Sequence, residues 1–450
     1  MTTAVSALKA PAAGSWSSRL MFVTAAAGSA VGLGNIWKFP YIVGENGGGA
    51  FVLVYLGCLA LLGLPILIAE IMIGRRGGDR PSTAFLAAAR AAGLSGRWRL
   101  VGALGATTSL LVLSFYAVIT GWVLLYGFDY AALAIGQGSE VLDSEAHFSR
   151  LTGDARAQVF ALLIVASAAF AFSARNAAGG VEAVMRWMGP AFAVLLFLLA
   201  AYTALAHPAP FDVVRYLLAP DFAALKPAAF GEAVGHAFFT LSIGLCGMVV
   251  YGAYLDSNAS VPTLALAVAT IDTIVSMLCA FIVLGVAFAT GADPAQGPGL
   301  IFVILPRAFS AMPFGHVVGA AFFAAAFMAA FTSVIALAII VSRAIEETFG
   351  ATTRVASAIT ALATLSGGTV VVGSVSGAAP IRLFGAPLLD ALDAITSSVL
   401  LPVSGILIAV FAARALAAEI RGLPFGRALL FCLRWVAPLA LCGVAASRLL

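Results

Sequence analysis

A few polar side chains stand inside long apolar runs. They are Asn35 and Lys38 in "GSAVGLGNIWKFPY", Tyr116 in "LLVLSFYAVITGW", Asp272 in "AVATIDTIVSML", and Thr332 with Ser333 in "AAFTSVIAL". A carboxylate buried in such a run is by default a functional candidate, most simply a cation ligand. Thr332 and Ser333 offer hydroxyl oxygens to a hard cation such as sodium, although hydroxyls in apolar helices also bond back to the i−4 carbonyl. Tyr116 can donate to a carboxylate, or pack with its tip satisfied locally. Lys38 needs an anion, and Asp390 or Asp393 in "LLDALDAI" lies at a suitable depth. Glu70, near a helix end, calls for a structural partner.

The elements that must position these groups are membrane helices. Of 450 residues, 62% are hydrophobic and only 10% charged, too few charges to cover a soluble fold of this size. Apolar runs long enough to cross a hydrocarbon core recur along the chain. We read eleven spans, at 17–43, 50–73, 101–131, 157–173, 187–206, 235–255, 262–290, 317–347, 354–371, 386–413 and 428–447. The span at 354–371 is short and rich in Thr, Ser and Gly, and the proline-interrupted segment 298–314 reads as a loop helix. The first fifteen residues hold no apolar core of a signal peptide. The five cysteines lie scattered in apolar runs, without metal-ligand spacing. With the N-terminus cytoplasmic, fifteen of the 24 Lys and Arg fall on the cytoplasmic side and seven opposite, Lys38 and Arg434 being inside spans. The multi-pass chain is therefore expected in the inner (plasma) membrane. Its acidic loop "GSEVLDSEAHFSRLTGD" and its C-terminus would then lie outside.

Spans one ("AGSAVGLGN") and six ("TLSIGLCG") are interrupted by glycine in the same manner, five spans apart. Paired interruptions of this kind point to a transporter built from inverted repeats. The expected organisation is a tail (1–15), a first five-helix repeat (16–206), a second (207–413), and a last helix with the C-terminal end (414–450). Unwinding a helix in lipid frees N–H and C=O groups at several kcal/mol each, so a break survives only where it lines a protein cavity. Carbonyls at such a break suit a cation, and N–H groups suit a carboxylate. Glycines also allow close helix packing, and Gly28 and Gly32 have that spacing. Packing leaves Asn35, Lys38 and the second break unexplained.

Four stretches together resemble the neurotransmitter:sodium symporter family, especially its bacterial amino-acid transporters. They are "WSSRLMFVTAAAGSAVGLGNIWKFPYIVGENGGGAF", "GHAFFTLSIG", "AAFTSVIA" and "LLDALD". The resemblance implies an all-α polytopic fold with a 5+5 inverted repeat and spans one and six unwound at mid-membrane. It implies one sodium at the Ala30 carbonyl, Asn35, Thr240 and Asp272, completed by the substrate carboxylate. A second sodium would take carbonyls of Gly28, Val31 and Ala329 with the Thr332 and Ser333 hydroxyls. The carboxylate would also meet Tyr116 and the N–H groups of Leu33 and Gly34. The amino group would meet carbonyls of Ala30, Phe239, Thr240 and Ser242. Val112, Tyr116, Phe239, Leu245, Ser333 and Leu337 would line the side-chain pocket. Phe239 would cap the site, with Lys38 and Asp393 pairing above it and His236 beside that gate.

Departures from the family pattern sharpen these expectations. Asp272 stands where many members have asparagine, and Tyr55, Thr240 and Ser276 resemble parts of a chloride site. An anionic Asp272 supplies that charge itself, so transport is expected to be chloride-independent. Gly32 stands where amine transporters carry aspartate, so the substrate brings its own carboxylate. His236 replaces a glutamine and reads as a neutral, hydrogen-bonding histidine, with sensitivity near neutral pH as the other reading. The arginine expected before Trp16 is absent (Ala13 stands there), which leaves Glu347 without its expected gate partner. The expected function is sodium-coupled symport of a neutral, hydrophobic or aromatic amino acid. Its partners would be substrate and bilayer, without nucleic acid, organic cofactor or enzymatic activity. The rivals are a proton-coupled transporter of the same fold and a receptor that binds without transporting.

Overall fold

The computed structural model describes residues 15–137, 144–175, 177–291 and 299–447. Ala13, the first part of the acidic loop (138–143) and Arg448 lie outside the described residues. Among the described residues, nine helices are long and apolar enough to cross a membrane. In chain order they are Gly49–Gly77 (span 2), Gly96–Ala134 (3), Ala155–Ser173 (4), Ala178–Ala206 (5), Val261–Ala289 (7), Gly315–Phe349 (8), Thr353–Ser376 (9), Leu388–Ala415 (10) and Gly426–Val444 (11). Arg19–Ala30 and Gly34–Glu45 form span 1, bent by 58° at their junction. The two short helices Ala229–Thr240 and Gly247–Gly252 stand in the place of span 6.

Span 9 is longer than its composition suggests. Thr352 caps its start by accepting from Val355 N, and Gly377, at φ 76°, ends it. Thr360, Thr364 and Thr369 return their hydroxyls to carbonyls four residues back, at 2.7–2.9 Å, which satisfies them within the helix, and Thr360 and Thr364 are buried besides. The segment read as a loop helix contains Leu300–Ile304 and Leu305–Ala311, too short to span.

Among the described residues, five helices carry a π-turn, and each of those turns ends two residues before a proline. The turns are Gly34–Lys38, Leu59–Gly63, Leu300–Ile304, Thr396–Leu400 and Cys432–Val436, followed by Pro40, Pro65, Pro306, Pro402 and Pro438. Proline lacks an N–H and clashes with the carbonyl four residues back; widening the preceding turn relieves that clash without ending the helix. In span 1 this device continues the helix directly after its break. Spans 3 and 8, the longest, pack against each other and flank both breaks.

Candidate functional site

Span 1 stops being helical at Val31, which is extended (φ −66°, ψ 116°). The backbone groups freed there find side chains. Gly32 N donates to Asn35 Oδ1 at 2.8 Å, and Leu33 N to the Tyr116 hydroxyl at 2.9 Å. On the carbonyl side, Gly28 O accepts from Thr332 Oγ1 at 2.7 Å. Ser29 O accepts from Ser242 and Ser333, and Val31 O from Ser333.

The break in span 6 is tighter. Ser242 (φ 53°), Gly244 (φ 87°) and Cys246 (φ 65°) are all left-handed, which for the two non-glycines costs roughly 1–2 kcal/mol apiece. Neighbouring spans hold it in place. Gly244 N donates to Glu70 Oε1 (2.8 Å), Ser404 donates to Gly244 O (2.8 Å), and Ser109 donates to Leu245 O (3.0 Å). Glu70 is fully buried, and Gly244 N is the structural partner its position called for. Glu70→Ala strips Gly244 N of its acceptor, a cost of about 1–3 kcal/mol for a buried donor. The expected result is a lower melting temperature together with weaker substrate binding, read by thermal unfolding and by equilibrium binding.

Two oxygen clusters flank the breaks. In the first, Asp272 Oδ1 receives Asn35 Nδ2 at 2.7 Å and Thr240 Oγ1 at 2.8 Å, and Ser276 lies 2.8 Å from Asn35 Nδ2. All four side chains are 1% exposed or less, so a carboxylate sits out of water with only neutral donors around it. In the second, carbonyls of Gly28, Val31 and Ala329 lie within 2.7–3.4 Å of the Thr332 and Ser333 hydroxyls. Apart from the Asn35 amide nitrogen, which faces the first cluster while its Oδ1 accepts from Gly32 N, both clusters present hard oxygen atoms, the chemistry that fits a sodium ion.

Between the breaks lies a small cavity of about 30 Å³, lined in part by Ala30, Val112, Ser242, Leu245 and Leu337. Above it opens a vestibule of about 700 Å³ whose walls include Leu33, Lys38, Asp390 and Asp393. Gly34, Tyr116 and Phe239 line both, so they separate site from vestibule. Lys38 Nζ lies 4.0 Å from Asp393 Oδ2 and 5.2 Å from the Phe239 ring centroid. A Cβ added to Gly32 would fall 2.6 Å from the Tyr116 hydroxyl and 2.9 Å from Ser333 Oγ. A side chain there has to displace those two hydroxyls.

His236 departs from expectation. It is fully buried, with its ring stacked on Phe39 (5.0 Å) and 5.3 Å from Tyr55, and neither nitrogen has a hydrogen-bond partner among the described residues. Aromatic packing, not hydrogen bonding, holds this histidine. Glu347, expected to lack a gate partner, accepts from Ser82 N (3.0 Å) and Thr83 Oγ1 (2.7 Å). Sequence reasoning passed over Ser109 and Ser404, whose role depends on which spans meet span 6. It also passed over Arg343, which had registered only as one more cytoplasmic charge.

The profile of the sodium:neurotransmitter symporter family matches residues 13–135 and 138–444. An uncharacterized sodium-dependent transporter of Bacillus subtilis (strain 168), YhdH, is 34% identical over 436 residues, 95% of each chain. Another from Methanocaldococcus jannaschii is 30% identical over 420 residues, 87% of this chain and 80% of that one. Among solved structures, MhsT in complex with L-phenylalanine superposes with a TM-score of 0.86 at 33% identity, covering 97% of this chain and 100% of the other.

Proposed function

The chain belongs to the sodium:neurotransmitter symporter family, and from that premise we propose that it accumulates a neutral, hydrophobic or aromatic amino acid by alternating access, driven by two sodium ions and independent of chloride. The family and fold are those of transporters, not enzymes, and the relatives support sodium coupling. The observation that carries the finer reading is the pair of polar clusters at the break of span 1, each of which contributes lining to one cavity.

In this reading the first sodium sits among the Ala30 carbonyl, Asn35, Thr240 and Asp272, and the substrate carboxylate joins it. Tyr116 and the N–H groups of Leu33 and Gly34 hold the other carboxylate oxygen, at the start of a half-helix where negative charge is favoured. Carbonyls at Ala30, Phe239, Thr240 and Ser242 receive the amino group. Val112, Leu245 and Leu337 offer apolar walls, and the solved relative holds L-phenylalanine. The second sodium ties Gly28 and Val31 of span 1 to Ala329, Thr332 and Ser333 of span 8. Lys38 and Asp393 close over Phe239 on the outer face. Repeats 16–206 and 207–413 meet at the site, with the N-terminus cytoplasmic and the C-terminus outside the inner membrane.

The filled site compensates the unwound backbone, so binding shifts the conformers by its differential affinity for them. Each charge moved across 100 mV adds about 2.3 kcal/mol of drive. Equilibrium binding of labelled phenylalanine, leucine and other neutral amino acids, titrated with sodium, tests the reading. Steep, sodium-dependent binding that weakens in Tyr116→Phe is expected; binding indifferent to sodium would overturn it. Thr332→Ala combined with Ser333→Ala removes both hydroxyl ligands of the second cluster. That variant is expected to raise the half-saturating sodium concentration about tenfold, the equivalent of one good ligand lost. Its sodium Hill slope should fall from near two toward one.

A further inference from the structure

Opposite the vestibule, the molecule is packed shut around a buried ion cluster. Trp16 Nε1 donates to Tyr251 O at 3.1 Å, and Trp16 N to Tyr254 O at 3.4 Å, so the start of span 1 is pinned to the second half of span 6. The Tyr254 hydroxyl donates to Asp79 Oδ2 at 2.5 Å. Asp79 lies 3.3 Å from Arg343 Nε, and Arg343 Nη1 lies 2.8 Å from Glu346 Oε2 and 3.0 Å from its Oε1. Arg80 adds a looser contact to Glu346 at 3.9 Å. Arg343 is 7% exposed and Glu346 3%.

We infer that Arg343 is the cationic latch that keeps this end of the molecule closed, supplied from within span 8 in place of an arginine near the N-terminus. The inference rests on the alternating-access reading above, in which this end must open. A guanidinium shared by two carboxylates is stable out of water, whereas without it Glu346 is left to the looser Arg80 contact and the partly buried Asp79 to a neutral hydroxyl. Removing Arg343 therefore favours whichever conformer lets water reach Asp79 and Glu346, which is the open one. Arg343 also lies ten residues beyond Ser333 on one continuous helix, roughly 15 Å along its axis. A cation bridging span 1 to Thr332 and Ser333 thus steadies the same helix that carries the latch.

Cys246 reports on this opening. It is fully buried at the break of span 6, one residue from the cavity wall at Leu245 and on the chain leading to Tyr251 and Tyr254. The experiment is alkylation of the full-length protein with N-ethylmaleimide, with Cys246 modification followed by peptide mass spectrometry. In wild type, sodium is expected to slow the reaction severalfold relative to potassium. In Arg343→Gln, the rate in sodium should rise about tenfold, with Arg343→Lys in between because it keeps a charge but loses the fork. Adding Asp79→Asn and Glu346→Gln to Arg343→Gln removes the stranded charges and should return the rate toward wild type. A sodium-sensitive wild type with an unchanged Arg343→Gln overturns the latch and leaves the transport reading standing. Failure of the triple variant to return overturns a charge-based latch in favour of packing alone. A wild type indifferent to the cation overturns both.

Discussion

With Asp272 replaced by alanine, sodium-driven uptake is expected to fall at least about 100-fold. Asp272 carries the formal negative charge in the first oxygen cluster, and the side chains around it there, Asn35, Thr240 and Ser276, are neutral. A unit charge about 4 Å from a sodium ion contributes on the order of 4 kcal/mol at an effective dielectric of 20, so its loss outweighs any single hydrogen bond in the site. Asparagine separates charge from shape, since it keeps both the size of the side chain and an acceptor for Thr240. Asp272→Asn is therefore expected to regain uptake in chloride but not in gluconate, while wild type is equally active in both. A wild type stimulated by chloride, or an Asp272→Asn variant indifferent to it, would show that the carboxylate does not stand in for an anion.

Gly32→Asp is expected to abolish uptake of zwitterionic amino acids, again by about 100-fold or more. Even the first carbon of the new side chain would lie 2.6 Å from the Tyr116 hydroxyl, the group proposed to hold the substrate carboxylate. The added carboxylate would then face the substrate's own, and like charges at this separation out of water cost several kcal/mol. Gly32→Ala isolates the steric part and is expected to lose less. Charge complementarity predicts the reverse preference for a ligand without an acid. Phenylethylamine, which should not bind wild type, is expected to compete for the Gly32→Asp site. Equal loss in the alanine and aspartate variants, with no amine binding, would reduce the role of Gly32 to space alone.

Much of the fold was legible because lipid is an unforgiving solvent. Apolar length marks a span, and glycine clusters at Gly28–Gly34 and Gly244–Gly247 mark places where a helix stops. Asn35, Asp272, Thr332 and Ser333 stood out for the same reason, since a polar group in an apolar run needs a partner or a ligand. The structure brings each of them to a break.

What the sequence hid depends on which helices touch. Glu70 could be seen to need a partner, but only the packing of span 2 on span 6 identifies Gly244 N. Arg343 counted as an ordinary cytoplasmic charge, and its place between Asp79 and Glu346, the latter three residues on along its own helix, follows from the segment after span 2 packing against the end of span 8. His236 was misread for a related reason: a polar residue near a gate suggested a hydrogen bond, whereas Phe39 and Tyr55 enclose it in aromatic surface. The threonines of span 9 lowered its apparent hydropathy, although their hydroxyls are spent on their own helix.

Uptake into liposomes tests the central claim most directly. Purified protein would be reconstituted and offered a pool of labelled neutral amino acids under an inward sodium gradient, a potassium control and a proton gradient, each in chloride and in gluconate. Accumulation above equilibrium under the sodium gradient alone, equal in the two anions, is the predicted result. Accumulation driven by protons without sodium would contradict the cation assigned to Asp272, Thr332 and Ser333. Sodium-dependent binding with no accumulation under any gradient would contradict transport itself and leave a receptor.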